Sequence, residues 1–270
     1  MEHHVSGLTH WVNQHAGPFA LWLLSLLHIK PTDPETPIPE HVVMGVITLI
    51  LGVLLALWLK SRLSVEKPGA SQQVAEFLIT NPLGFGIRDL LDENAGHAGR
   101  RFIPVTGTIA IFILLANLLG VVPFFSSPTG DKSVPLGCAL LTFCYFNYQG
   151  LRHHGVWHYL KTFAGPSPAL AILIFPVEII STTARVLSLT VRLWANIFAS
   201  DLIYVLFVTL LVQLSIWAQA KSALLAVLWI LPALVPLVFV ALHIFVSVIQ
   251  AYVFTVLPSI YLGMAVAEEH

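Results

Sequence analysis

Residues 166–217 read PSPALAILIFPVEIISTTARVLSLTVRLWANIFASDLIYVLFVTLLVQLSIW, and this stretch decides the fold. As one α-helix it would run for about 78 Å, although the hydrocarbon core of a bilayer is only about 30 Å thick. It is therefore either two spans or one helix that is strongly tilted or lies partly along the membrane. Between Glu178 and Asp201 there is no glycine or proline to form a turn. This favours a single long, tilted helix, with Pro176 as the place for a kink.

The composition of the whole chain is that of an integral membrane protein. Of its 270 residues, 57% are hydrophobic and only 10% are charged, whereas a soluble domain carries roughly 25% charged residues. A net charge of −1 gives no reason to expect nucleic-acid binding. Cys138 and Cys144 would point in different directions on a helix, so we expect no disulfide.

The apolar runs predict an all-α fold with about five transmembrane helices. The predicted spans are residues 42–60, 102–124, 134–150, 166–217 and 222–266. Because the linker at 218–222 is short, the last two should form an antiparallel hairpin. Pro232 and Pro236 would loosen the backbone of the final helix.

Amphipathic segments predict helices on the membrane surface as well. Within residues 70–94, Val74, Phe77 and Leu78 recur at helical spacing, and a second set, Ile87, Leu90 and Leu91, repeats the pattern. The apolar run at 18–29 predicts a short interfacial helix within an external segment, residues 1–38. An uncleaved signal-like segment is the alternative interpretation. Residues 39–270 would form a single membrane domain.

Positive charges predict the orientation of the spans. Six of the thirteen Lys and Arg residues lie between Lys60 and Arg101, so we expect that segment to be cytoplasmic. The turn at 126–133 carries only Lys132 and should lie outside. The N-terminus is then external, or periplasmic, and the C-terminus is cytoplasmic.

Arg192 is the most informative single residue. Its guanidinium stays protonated at any accessible pH, and an arginine at a helix centre costs ~2.5–3.5 kcal/mol on translocon-type scales. Nothing three or four residues away on its own helix neutralises it. A fixed cation at membrane depth is suited to electrostatic control of moving ions.

Other polar residues share the last two helices with Arg192. Glu178, Arg185 and Arg192 are spaced by seven, so they lie within about 40° of one another around the helix, and Asp201 lies on the opposite side. In an antiparallel hairpin with its turn near residue 221, paired positions have numbers that sum to about 443. This register pairs Asp201 with His243, and Arg192 with Gln250.

Structural roles remain open for several of these residues. Arg185 could be a charge partner of Glu178, although seven residues is too far for direct contact on one helix without tilt or water. Asp201 and His243 could be a simple buried ion pair. For Asn117, the favoured interpretation is a packing residue, or one that hydrogen-bonds between helices, in its span.

A histidine cluster raises the question of a metal site. His153, His154 and His158 have spacings found among metal ligands. No carboxylate or cysteine lies near them in sequence, and they follow an apolar span in a polar loop. We therefore expect a solvated face and no bound metal.

Three motifs resemble subunit a of the F-type rotary ATP synthases. Residues 185–203, RVLSLTVRLWANIFASDLI, resemble its signature, and residues 243–257, HIFVSVIQAYVFTVL, resemble its final-helix motif. The stretch at 106–129, TGTIAIFILLANLLGVVPFFSSPT, is similar to its second span, including Asn117 and Pro123. Together the resemblance covers most of residues 39–270.

The resemblance implies a stator channel beside a rotating ring of small c subunits. It implies that Arg192 faces the ring carboxylates, that Asp201 and His243 line a half-channel from the outside, and that Glu178 lies on the route to the cytoplasm. It further places two residues beside the arginine, Asn196 and Gln250. Accessory candidates are Arg185, Asn117 and Ser188. The chain departs from the family at two positions, with Asp201 where many bacterial members have glutamate and Ser200 where glycine is usual.

The same resemblance implies the partners and the compartment. These are the c-ring, the b subunits of the peripheral stalk, the catalytic head indirectly, the lipid bilayer and translocated H⁺, in the bacterial inner membrane. The chain itself would not be catalytic and would need no cofactor. The coupling ion, H⁺ or Na⁺, is set largely by the ring carboxylate on another chain. The rival interpretations are a secondary transporter or ion channel with an intramembrane charged pathway, and a membrane metalloenzyme.

Overall fold

A computed structural model describes residues 6–28, 30–31, 33, 35–81, 84–122, 125–157, 159, 161, 171–221 and 230–266. In these residues the regular structure is entirely helical. The α-helices are α1 (Gly7–Leu26), α2 (Glu40–Ser61), α3 (Ala70–Ile79), α4 (Ile87–Ala95), α5 (Ile103–Leu119), α6 (Ser133–His154), α7 (Ala171–Lys221) and α8 (Ile230–Val266). Two short 3-10 helices, Gly96–Arg101 and Pro128–Gly130, lie before α5 and α6.

Three of the described helices are long and apolar enough to cross a membrane. They contain Glu40–Ser61, Ala171–Leu214 and Pro236–Ala265. Helix α5 is apolar but has only 17 residues, and α6 ends in the polar sequence RHH. The prediction of an all-helical membrane protein is therefore confirmed, while the count of about five spans stays a prediction.

The unusual length of the last two helices is confirmed. Helix α7 runs for 51 residues without a break and passes through Pro176, and α8 runs for 37 residues. Prolines are tolerated inside membrane helices because neighbouring groups satisfy the freed carbonyls. The rings of Phe207 and Phe239 lie 5.2 Å apart, which fits the antiparallel register. The prediction of a linker at 218–222 is wrong for 218–221, because α7 remains helical through Lys221.

The core lies where α7 and α8 meet α5 and α6. One side of α7 is buried at helical spacing, with Val186, Leu189, Leu193 and Ile197 between 0% and 8% exposed. These side chains pack with Ile113, Ala139 and Phe254. The buried stripe fixes the rotation of α7 about its axis, and so it decides which α7 side chains face outward.

Helices α3 and α4 use their apolar stripes differently. On α4, Leu91 is 0% exposed and packs with Phe102 and Leu262, so its stripe lies against the protein. Gly263 permits this packing, since a Cβ there would collide with the Asn94 carbonyl oxygen. The apolar stripe of α3 stays exposed, with Val74 at 62%.

The N-terminal helix is longer than predicted. It begins at Gly7 instead of residue 18, because the Ser6 hydroxyl accepts a hydrogen bond from the Thr9 amide and caps the helix. The Asn13 side chain bonds both backbone groups of Ile38, at 2.9 and 3.0 Å, and ties α1 to the chain before α2. Predictions that fall on residues 162–170 and 222–229 lie outside the described residues.

Candidate functional site

The hairpin brings Asp201 and His243 together, as the predicted register requires. The His243 Nδ1 and Asp201 Oδ1 atoms lie 3.8 Å apart. The imidazole is buried, while the Asp201 side chain is 53% exposed. A carboxylate open on one side therefore stands beside an imidazole that is enclosed by helices.

Both ring nitrogens of His243 have partners. Nε2 lies 3.1 Å from the backbone oxygen of Asn117, and Nδ1 lies 3.1 Å from the Ser200 hydroxyl. A carbonyl oxygen can only accept, so Nε2 must carry a hydrogen. In the neutral ring Nδ1 is then the acceptor, and the nitrogen that gains or loses a proton is the one beside Asp201.

The loop between α5 and α6 forms a wall of this site. Thr129 donates to Asn117 Oδ1 at 2.5 Å, and both side chains are 0% exposed. Ser127 donates to the Ala116 carbonyl at 3.0 Å and anchors the loop to α5. A Cβ atom at Gly130 would lie 3.8 Å from Asp201 Oδ2, at ordinary van der Waals distance, so Gly130 borders the carboxylate.

A second group of titratable side chains lies on the outer side of the same loop. His41 Nδ1 lies 3.6 Å from Asp131 Oδ2, and Ser133 bonds to both of these side chains. Burial raises the pKa of Asp131, but the hydrogen bonds from Ser133 and the charges of His41 and Lys132 lower it further, so the net pKa lies below its ordinary value. These contacts hold the start of α2 against the loop.

Two buried amide atoms near the site lack protein partners in the described part of the chain. They are Asn117 Nδ2, a donor, and Gln250 Oε1, an acceptor. Gln250 is 1% exposed, and no hydrogen bond joins it to Arg192, although the register places the two at one level. Buried polar atoms of this kind are available to bind water or a moving ion.

Arg192 points away from the core. It is exposed and, among the described residues, it makes no hydrogen bond or ion pair. Ser188, one turn earlier, and Asn196, one turn later, are also exposed. Arg192 faces outward because Leu189 and Leu193 occupy the buried side of the same helical turns.

The other end of the α7–α8 pair carries a different polar group. Arg185 Nη2 lies 3.6 Å from Glu178 Oε1, and the Arg185 guanidinium carbon lies 5.0 Å from the centre of the Tyr261 ring. The statement that residues spaced by seven are too far apart for direct contact is wrong here, because both side chains are long. The two line a cavity of about 170 Å³, together with Tyr159 and Thr182.

Sequence reasoning missed part of both groups. Thr129 lies inside the motif at 106–129, but its spacing from Asn117 in the sequence does not indicate that the two side chains are in contact. Tyr159 and Tyr261 join the Glu178 cavity from other elements, and no pattern along one helix reveals that. His158 lies outside the described residues. Among the residues that the structure describes, no three His, Cys, Asp or Glu side chains gather to hold a metal.

Comparisons with known proteins give one family. The family model for the ATP synthase A chain matches residues 42–263. The chain is similar to ATP synthase subunit a of Koribacter versatilis, with 37% identity over 99% of both chains. It is also similar to ATP synthase subunit a of Solibacter usitatus, with 40% identity over 91% of this chain and 95% of that one. The chain therefore belongs to the ATP synthase subunit a family, the proton-translocating subunit of the membrane sector that is not itself catalytic.

Proposed function

We propose that Arg192 is the fixed cation that faces the carboxylates of a ring of c subunits and couples proton flow to ring rotation. One observation carries this proposal, namely that the guanidinium is exposed and without a partner in the described chain. Such a charge in an apolar environment is costly unless a second molecule supplies an anion.

The surface around Arg192 suits a closely packed helix. Ser188, Asn196 and Ala199 are exposed on the same face of α7 as the arginine, and all have short side chains. Small residues on a membrane helix let a second backbone approach closely. A ring helix on this face would bring its carboxylate within reach of the guanidinium.

The proposed coupling follows from charge and solvation. A ring carboxyl that faces lipid must be protonated, because moving the anion through hydrocarbon is costly. Beside Arg192 the charged form is favoured, so the proton leaves. The guanidinium cannot give up its own proton, and it therefore separates the entry route from the exit route. A potential of 100 mV supplies ~2.3 kcal/mol for each charge moved.

Two routes reach the arginine from opposite ends of α7. Asp201 is nine residues from Arg192, or about 13.5 Å along the helix, and Glu178 is fourteen residues away in the other direction, or ~21 Å. We infer that Asp201 and His243 belong to the outer route and that Glu178, with Arg185, belongs to the cytoplasmic route. Asn117, Asn196 and Gln250 would hydrogen-bond to water between these residues and the ring.

The wider arrangement is also a proposal. The excess of Lys and Arg between Lys60 and Arg101 supports a cytoplasmic position for α3 and α4, an external N-terminus and a cytoplasmic C-terminus. We infer about five spans, formed by α2, α5, α6, α7 and α8, within one membrane domain at 39–270. Besides the ring, we infer that the peripheral-stalk b subunits contact this chain and that the catalytic head is linked to it indirectly.

Arg192→Ala in the whole ATP synthase tests the proposal. ATP-driven acidification of reconstituted vesicles should fall below detection, because no fixed cation remains to release the ring protons. Arg152→Ala, which removes an exposed cation from the end of α6, is the matched control and should pump normally. Pumping by Arg192→Ala at the wild-type rate, in a complex with normal subunit content, would overturn the assignment.

A further inference from the structure

We propose that Ser200 is a positioning residue for proton transfer, which holds His243 Nδ1 beside Asp201 in both protonation states of the imidazole. The proposal rests on the proposed function and adds a residue to it. Ser200 lies on α7 immediately before Asp201, and its hydroxyl oxygen is 3.1 Å from His243 Nδ1. It is the α7 group that bonds directly to the imidazole.

A hydroxyl is suited to this position because it can both donate and accept. When His243 is neutral, Nε2–H donates to the Asn117 carbonyl and Nδ1 accepts from Ser200. When Nδ1 gains a proton, the Ser200 hydroxyl rotates and its oxygen accepts from Nδ1–H. The ring therefore keeps the same orientation before and after the transfer.

The carboxylate of Asp201 does not hold the ring by itself. Its Oδ1 atom lies 3.8 Å from Nδ1, which is beyond hydrogen-bond distance. Transfer requires this gap to close to about 2.6–3.2 Å. The Ser200 hydroxyl first turns its hydrogen away and frees the single lone pair of Nδ1. The proton then passes from the Asp201 carboxyl group to Nδ1, and it leaves an Asp201 carboxylate and a His243 imidazolium. The hydrogen bond to Ser200 keeps the imidazole turned so that Nδ1 faces Asp201.

Other groups around His243 cannot replace Ser200 at Nδ1. Asn117 bonds to the other ring nitrogen from α5. Ser247 on α8 donates to the His243 backbone oxygen at 2.7 Å, and Thr129 of the loop donates to Asn117. Among the described residues, Asp201 is the charged group that the structure places against the ring.

A longer carboxylate should make Ser200 dispensable. Glutamate at position 201 has one more methylene, so its oxygens can reach Nδ1 directly and orient the ring. The loss in Ser200→Ala should therefore be recovered in the double variant Ser200→Ala/Asp201→Glu. A residue that only supported the packing of α7 would show no such recovery.

The experiment measures ATP-driven proton pumping across a pH series, with the whole ATP synthase in vesicles. Ser200→Ala should pump roughly 3- to 10-fold more slowly, the size expected for one lost hydrogen bond. Its pH profile should also shift towards acid, because the imidazolium loses an acceptor for Nδ1–H. Thr209→Val removes a hydroxyl that, among the described residues, bonds only to the Val205 carbonyl of its own helix, and it should match the wild type.

The outcomes distinguish a positioning role of Ser200 from a role in helix packing alone. Recovery of rate and pH profile in the double variant supports the positioning role. Wild-type pumping by Ser200→Ala, or an unshifted profile with no recovery in the double variant, overturns it. Arg192→Ala in the same series separates the two claims, because its pumping would overturn the proposed function instead.

Discussion

Each end of the α7–α8 pair carries a carboxylate, but the side chains around the two carboxylates differ. At one end Asp201 faces an imidazole that can gain and lose a proton, and a loop borders the exposed carboxylate. At the other end Glu178 faces Arg185, whose charge is permanent, beside a cavity of about 170 Å³. We infer that the first end passes protons one at a time through side chains, while the second admits water to a carboxylate beside a permanent cation.

The largest difference between the ends should appear when His243, the proposed proton carrier, is replaced. We expect His243→Ala to slow ATP-driven pumping by about 100-fold or more, the effect of losing a general acid–base group. The measurement is the initial rate of vesicle acidification at equal complex content. An acidification rate equal to that of Thr209→Val, the control that should match the wild type, would show that protons bypass His243.

Changes at the Glu178 end should have a smaller effect. Glu178→Gln removes the carboxylate but leaves the neighbouring cavity open to water, so we expect a loss of roughly 10-fold in pumping. The same assay compares it with His243→Ala. If Glu178→Gln proved the more harmful of the two, the contrast drawn between a side-chain route and a water route would be wrong.

Gly130→Leu should restrict access to the Asp201 carboxylate and leave the Glu178 end unchanged. A Cβ at this position would lie 3.8 Å from Asp201 Oδ2, so a large side chain would cover the exposed carboxylate. We expect pumping to fall about 3-fold without loss of assembly, because the obstruction slows access and leaves the core intact. Gly137→Leu is the matched control, since nothing lies within 4 Å of a Cβ at Gly137. Equal rates for the two variants would place the route to Asp201 elsewhere.

The smallest effect should come from the His41–Asp131 contact. Because the pKa of Asp131 is lowered in the folded chain, its stabilising contribution is present above the unfolded pKa of about 3.9 and is lost as the pH falls through the folded value. For this pair, whose side chains are 25% and 40% exposed, the contribution is worth less than about 1 kcal/mol. Asp131→Asn should thus lower the Tm of the purified membrane sector slightly at pH 7, and the difference should shrink as the pH falls below about 3.9. A difference that persists in acid would point to lost hydrogen bonds instead.

Residue patterns along single helices predicted much of this fold, and contacts between elements account for the rest. The length and continuity of α7 follow from an apolar stretch without turn residues, and the Asp201–His243 contact follows from antiparallel register. The burial of the α4 stripe could not be predicted, because the same pattern suits a membrane surface or a protein core. Ser200 was noticed only as a departure from a family pattern, since its bond to His243 depends on the rotation of two helices.

Disulfide cross-linking in the whole complex tests most directly whether Arg192 faces the ring. Cysteines at Ser188 and Asn196 lie on the arginine side of α7, whereas Leu187, 58% exposed, lies on another exposed side. Each is paired with a cysteine placed next to the carboxylate of the ring subunit. The account predicts cross-links from Ser188→Cys and Asn196→Cys and none from Leu187→Cys. Cross-linking from Leu187→Cys alone would contradict it.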